Sequence, residues 1–294
     1  MIDKVMPAEQ AAALIRDGDV VGLQGGPTQC APMAVVRELI RAGRRDLHSV
    51  TLSGGIALDW LAEAGCLSAS TFAAVTMEHF GLCRGFRRRV ESGAIAVEEL
   101  SETVLFARLG AAARGLPFLP ARGQIGTDLL NVGNDALKVI DDPFGGPPVV
   151  ACRALPLDVA VLHAHRADRA GNTGIDPSPR YPTVTVMPRA ARRVIVTVEE
   201  IVPTGELRRA PDRTILPGFA VDAVVEAPYG AHPTSLFPLY DYDAGFIADW
   251  TRAAADEEAA RAFLRTYAED PSPAGYRGLV GADRLAALRI GGQP

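Results

Sequence analysis

The residues with chemistry to offer are a pair of adjacent glycines, two glutamates and a few histidines. Gly25 and Gly26 end an apolar run and precede a helix-like stretch, VGLQGGPTQCAPM. A glycine pair past a strand presents backbone N–H groups and the positive end of the next helix to an anion. The spacing is neither G-x-G-x-x-G nor G-x-x-x-x-G-K-[ST], so the dinucleotide and phosphate-loop fingerprints are missing. Either the loop faces a ligand, as loops at strand C-termini of open α/β sheets do, or the glycines only make a tight turn. Ser53-Gly54-Gly55 repeats the arrangement. Glu78-His79 sets a carboxylate beside an imidazole, a pairing suited to acid/base work, although neighbours on an extended chain point to opposite faces. Glu102 follows Ser101 at a helix start, where the dipole favours an ionised carboxylate; helix starts also carry acidic residues as a matter of routine.

Other constellations point to chemistry more weakly. His163-Ala164-His165 with Asp168 has two same-face imidazoles and a carboxylate, which suits zinc or iron. A metal hydrolase needs more ligands than a chain with 5 histidines readily supplies, and the alternative is a strand end running into a turn at Asp168–Asn172. No metal is expected. No G-x-S-x-G elbow occurs, which counts against a serine hydrolase of the α/β type. The run Arg84-Gly85-Phe86-Arg87-Arg88-Arg89 would either neutralise a phosphate-bearing ligand or partner, or form a solvated helix face. Of the 30 basic residues only Lys4 and Lys138 are lysines, and neither sits in an apolar setting, so imine chemistry is not expected.

These residues need elements to position them. Short apolar runs alternate with helical stretches, the pattern of a parallel α/β sheet. Strands are expected at 19–24, 47–53, 71–76, 94–97, 148–152, 159–163, 194–198 and 220–225. Helices are expected from Pro7 to Gly18, from Pro32 to Gly43, around 58–64, from Glu102 to Arg114 and over 245–267. Long loops fall at 141–148 and 171–182, and an irregular C-terminal extension begins at about 203. The expected fold is one open, doubly wound, mostly parallel α/β domain over 1–294.

Composition agrees with that class. The chain has 294 residues, 48% hydrophobic and 22% charged, an ordinary globular balance. A net charge of −5 speaks against a nucleic-acid partner. No apolar run reaches the roughly 20 residues of a membrane span, and no charged n-region with an apolar h-region opens the sequence. Cys30, Cys66, Cys83 and Cys152 form no C-x-x-C pair, which fits a reducing, cytoplasmic setting.

Six stretches taken in order resemble the α subunit of family I CoA-transferases, of the glutaconate CoA-transferase A-chain type. They are GDVVGLQGGPTQCAPMAVVREL (18–39), EHFGLCRGFRRRVESGAI (78–95), SETVLFARLGAAARGLPFLPAR (101–122), DVAVLHAHRADRAGN (158–172), VIVTVEEIVPTGELRRAPD (194–212) and PGFAVDAVVEAPYGAHPTSLFPLYDYD (217–243). The resemblance implies a CoA-transferase/NagB-RpiA-like sheet, acyl-CoA and a carboxylic acid as substrates, no bound cofactor, and a β subunit of the same fold in an α₂β₂ assembly. It implies that CoA passes through a glutamyl thioester on that β subunit. This chain then supplies the facing wall: Gly25, Gly26, Pro27, Thr28, Gln29, Ser53 and Gly54 toward the acyl group or its oxyanion, with Glu78 and Glu102 near the cleft. Pro27 stands where such chains usually carry a bulky residue. A related branch, the steroid-degrading hydrolases, opens a carbon ring of a CoA thioester with water. There Glu102 would be the acid/base. A non-catalytic ligand-binding module on the same fold is the third reading.

Overall fold

The computed structural model of the chain describes residues 2–130, 135–176, 183–209 and 211–291. From the N-terminus, α1 (Ala8–Ala12) leads to β1 (Val20–Leu23), α2 (Met33–Arg41), β2 (Leu47–Gly54), α3 (Ile56–Glu63), β3 (Leu67–Val75), α4 (Arg84–Glu91), β4 (Ala96–Glu99) and α5 (Glu102–Ala112). Then come β5 (Phe118–Ala121), β6 (Leu137–Ile140), β7 (Val149–Arg153), β8 (Leu157–Ala167), β9 (Thr173–Gly174), α6 (Thr183–Ala190) and β10 (Ala191–Ile201). The remainder is α7 (Thr204–Arg209), β11 (Thr214–Leu216), β12 (Ala223–Glu226), α8 (Ala244–Ala253), α9 (Glu257–Leu264), α10 (Pro273–Val280) and α11 (Ala282–Ala287).

Seven parallel strands lie in the order β12-β10-β8-β1-β2-β3-β4. The short β9 and β11 join antiparallel at the far end of β8. The chain steps from β1 through β4 toward one edge and from β8 through β12 toward the other. The order therefore reverses between β1 and β8, and open α/β sheets bind ligands at such a switch, beyond the strand C-termini.

Alternation along the strands explains why both faces are covered. In β8, Val159 and Val161 belong to one apolar cluster, while Ala160, Leu162 and Ala164 belong to the other. Successive side chains point to opposite faces, so a strand apolar at every position is buried on both. Helices α1 to α4 and α8 to α10 cover the first face, with Trp60, Phe246 and Trp250 in edge contact. Helices α5 and α6 cover the second.

Several sequence expectations change in detail. The run at 148–152 becomes β7, half-buried and paired antiparallel with β5 and β6 in a separate three-stranded sheet. Lys138 lies on β6 of that sheet, exposed, just before the 141–148 loop. A four- or five-residue apolar run does not specify its partner, because pairing is non-local. Residues 183–190, with four β-branched side chains and Pro188, form helix α6, where burial of Val184 and Met187 outweighs poor propensity. The expected 171–182 loop extends past the described residues at 177–182. Beyond 203 the expected irregular extension carries α7, β11 and β12, and its long stretch without a helix or strand is 227–243. It then runs as four helices, the expected 245–267 helix dividing at Ala253.

Asp59, on α3, is buried (1% exposed) and accepts from the Phe86 amide (2.7 Å) and Trp250 Nε1 (2.8 Å). Burial pushes its carboxyl up to about 6, outweighing both bonds. A carboxyl raised in the folded state is protonated there at pH values where the unfolded chain has already lost its proton. Its contribution is fully present below pH 3.8 and lost as pH rises to about 6. A rise of that size corresponds to about 3 kcal/mol. Asp59→Asn is expected to flatten the decline in unfolding free energy between pH 4 and 6 by about that amount, read by urea denaturation across pH. Parallel profiles would refute it.

Candidate functional site

The glycine loop occupies the switch point. Gln24, the first residue past β1, hydrogen-bonds the neighbouring strand twice: its amide donates to Val161 O (3.1 Å) and its Oε1 accepts from the His163 amide (2.9 Å). That second bond fixes the side-chain orientation, since a backbone N–H needs the oxygen. Nε2 is left buried with no hydrogen-bond partner. Gly25 has φ +108°, and a Cβ there would lie 2.7 Å from Gln29 O. Only glycine fits both the conformation and the space. The Gly26 amide donates to Gln29 O (2.8 Å), so it is committed within the loop. Gly25 to Thr28 are buried, and Gln29 alone of 25–29 is exposed.

The second glycine turn is packed onto the first. A Cβ on Gly55 would sit 2.2 Å from Pro27 Cα and 2.6 Å from its carbonyl oxygen. Ser53 and Gly54 close β2 immediately beside this contact. The two turns that the sequence offered separately are thus one wall.

Glu78 joins them. It lies past β3 in a short 3₁₀ turn with φ +54°, exposed, and accepts from Thr28 Oγ1 at 3.3 Å. A glutamate held in the left-handed region is a strained position of the kind that gathers at functional sites. His79 does not cooperate with it: its ring stacks on Phe80, centroids 4.0 Å apart, beside Tyr242. Glu102 opens α5, exposed, with Ser101 Oγ capping the helix at the Val104 amide. It stands at the same end of the sheet but beyond β4, three strands from β1, or about 14 Å along the sheet at normal strand spacing. Within this chain Glu78 meets the glycine loop through Thr28.

The histidine cluster resolves into structural contacts. His163 Nε2 meets Glu199 Oε1 (2.8 Å) and Nδ1 meets Thr197 Oγ1 (2.7 Å). His165 Nε2 donates to Phe237 O (3.0 Å), and Nδ1 accepts from the Asp176 amide (3.3 Å). Asp168 closes the Asp168–Asn172 turn by accepting from the Ala170 and Asn172 amides. Among the described residues no group of three or more His, Cys, Asp or Glu is placed to hold a metal ion. The arginine run is scaffolding as well. Arg88 bonds Glu63 Oε2 (2.5 Å) and Ala254 O, and Arg89 reaches Glu63 O. A cavity of about 480 Å³ at the opposite edge, lined by Arg45, Arg89, Arg261 and Arg265, is where α3, α4 and α9 end, and guanidinium groups complement helix C-termini.

Sequence reasoning missed Glu199. Its Oε1 accepts from His163 Nε2 (2.8 Å), Tyr240 OH (2.8 Å) and the Gly230 amide (3.2 Å), and its Oε2 from the Tyr229 amide (2.7 Å). Burial pushes its carboxyl up, but these donors outweigh burial and hold it below the ordinary range. The carboxylate lines a cavity of about 460 Å³ with Tyr229, Tyr240 and Arg289. The local signal was a charged pair, Glu199-Glu200, closing an otherwise apolar strand. Among the described residues no helix is long and apolar enough to cross a membrane.

Comparison with known proteins matches residues 5–227 to the family described as coenzyme A transferase. The chain is 34% identical to the A-type polypeptide of glutaconate CoA-transferase from Acidaminococcus fermentans, covering 98% of this chain and 95% of that one. The crystal structure of that enzyme superposes with a TM-score of 0.93 over 98% of this chain and 96% of the other. A cholesterol ring-cleaving hydrolase subunit of Mycobacterium tuberculosis is also 34% identical, over 91% and 94% of the two chains. An uncharacterised protein of Archaeoglobus fulgidus is 40% identical over 91% of this chain, which spans 60% of that protein's length.

Proposed function

The chain belongs to the coenzyme A transferase family, and from that premise we propose that it is the α-type subunit of a two-chain enzyme moving CoA between an acyl-CoA and a carboxylic acid. The observation that carries this reading is the wall at the switch point: the Gly25 loop, the Gly55 turn locked onto Pro27, and Glu78 bonded to Thr28. It is a close-packed loop pair with an exposed carboxylate at its edge. A glutamate of the β-type chain attacks the thioester carbonyl, and CoA leaves as thiolate, giving an acyl–glutamyl anhydride. The thiolate then attacks the glutamyl carbonyl, releasing the acid and leaving a glutamyl thioester. The acceptor carboxylate takes CoA by the same two steps in reverse order. Splitting the transfer this way is covalent catalysis. The loop of this chain holds the acyl group where the oxyanion develops. An α₂β₂ assembly and a cytoplasmic setting go with this reading. The four buried free thiols fit a reducing compartment.

The second reading, a CoA-thioester hydrolase with Glu102 as acid/base, is favoured by one observation. Glu102 is exposed at a capped helix N-terminus that follows the C-terminal end of β4. One experiment separates the two. The chain is co-expressed with a β-type chain of the family and given acyl-CoA and a free acid. Formation of a new thioester, retained at a tenth or more of the parent rate in Glu102→Ala, is the expected result. CoA-thioester hydrolysis or ring opening with no new thioester, abolished by Glu102→Ala, would establish the hydrolase instead.

A further inference from the structure

Glu199 is a buried carboxylate that the proposed reaction does not use, and its donors lead to both ends of the glycine loop. One arm runs through His163. Its Nε2 meets Glu199 Oε1 at 2.8 Å, and its backbone amide donates to Gln24 Oε1 at 2.9 Å, just before Gly25. The other arm runs through Tyr240, whose hydroxyl donates to the same Oε1 at 2.8 Å. Tyr240 and Leu236 exchange backbone bonds of 3.0 and 3.2 Å. Next to Leu236, Ser235 pairs with the loop: its amide donates to Thr28 O and its carbonyl accepts from the Cys30 amide, both at 2.8 Å. Tyr240 also packs with Cys30 in a small apolar cluster. The Tyr229 and Gly230 amides close the remaining acceptor sites on Glu199, and Gly230 O receives the Ala34 amide of α2 (2.8 Å). One carboxylate therefore sits where the two anchors of residues 24–30 converge.

We infer that Glu199 is a positioning residue that clamps both ends of the glycine loop and so fixes the wall against which the acyl group is held. The inference rests on the loop being substrate-facing, as proposed above. A loop released at both ends samples geometries displaced by an ångström or so, which costs about 100-fold in rate when a reacting group is misplaced. The ground-state grip on CoA is set elsewhere and stays.

The test compares the full chain, assembled with its β-type partner, with the same assembly carrying Glu199→Gln or Tyr240→Phe. Hydrogen–deuterium exchange is followed in the peptides covering residues 24–31, and turnover is measured in parallel. Glu199→Gln keeps the shape but turns one acceptor into a donor facing the Tyr229 amide. It is expected to raise exchange across the whole of 24–31 and lower kcat by about 100-fold with KM for acyl-CoA within about threefold. Tyr240→Phe cuts one arm only and is expected to raise exchange at 28–31 more than at 24–26. Its milder change keeps the test decisive if Glu199→Gln fails to fold. Unchanged exchange in both variants would overturn the clamp, whatever the turnover. Raised exchange with unchanged turnover would uphold the clamp and overturn the substrate-facing reading of the loop.

Discussion

Gly55→Ala is expected to lower kcat/KM by at least about 100-fold, because the methyl group must displace the Pro27 backbone that it would overlap. The added Cβ would lie 2.2 Å from Pro27 Cα and 2.6 Å from its carbonyl oxygen. Contacts that short are with main chain, so no rotamer change relieves them, and either the 26–28 segment or the start of α3 must move. Overpacking of this kind costs about 1–3 kcal/mol of stability, which leaves the enzyme folded while the reacting geometry is displaced. Gly18→Ala is the matching control. Gly18 has φ +82° with nothing within 4 Å of an added methyl, so the substitution costs roughly 1–2 kcal/mol of backbone strain and leaves turnover unchanged. Steady-state kinetics beside thermal unfolding of the two variants separates them. Parent-level turnover in Gly55→Ala would remove the Pro27 loop from the reacting geometry.

Asp243→Ala is expected to be the most destabilising of the substitutions discussed, at about 2–4 kcal/mol, since it removes the N-cap of α8 and leaves the fully buried His232 without its acceptor, while the exposed Arg284 guanidinium turns to solvent. Asp243 caps α8 at the Phe246 amide (2.8 Å) and accepts from His232 Nε2 (3.1 Å) and from Arg284 Nε and Nη2 (2.5 and 2.8 Å). His232 is itself fully buried, its Nδ1 at 2.7 Å from Tyr276 OH. For a chain of this size the loss corresponds to a Tm lowered by roughly 10 °C. Burial pushes the Asp243 carboxyl up, but the His232 and Arg284 bonds outweigh it and hold the group well below the ordinary range. A depressed carboxyl stabilises above its unfolded value of 3.8 and loses that contribution as pH falls below it. Asp243→Asn keeps the cap and is expected to flatten acid unfolding below pH 4. A wild-type acid limb in that variant, or a Tm within 2 °C in Asp243→Ala, would contradict the ion-pair role.

The two substitutions act at opposite ends of one construction. Asp243 fixes the segment that follows Pro233, whose carbonyl accepts the Asp243 amide (2.9 Å). Thr234 and Ser235 then hold Ala31, Cys30 and Thr28 of the loop. The C-terminal helices thus support the wall at the switch point, which explains why an extension that reads as irregular in sequence carries so many buried polar groups.

Local pattern alone determined a good deal about this protein. Period-two and helical spacings placed the strands and helices flanking Gly25, Gly54 and Glu102, because side-chain periodicity is a property of each segment by itself. The scarcity of lysine turned the reading toward carboxylates and backbone amides, and six ordered stretches carried the family. Only the tertiary structure decided which of these residues meet. Glu78 reaches Thr28 across 50 positions, and Tyr240 reaches Glu199 across 41. Glu102, at an equally persuasive helix start, follows β4 at the edge of the sheet. The histidines that resembled a metal pair take separate partners instead, His163 a carboxylate 36 residues further on and His165 the Phe237 carbonyl. Hydrogen bonds between residues so far apart depend on strand order, and strand order is set by the packing of the whole sheet, for which no short stretch of sequence holds the information.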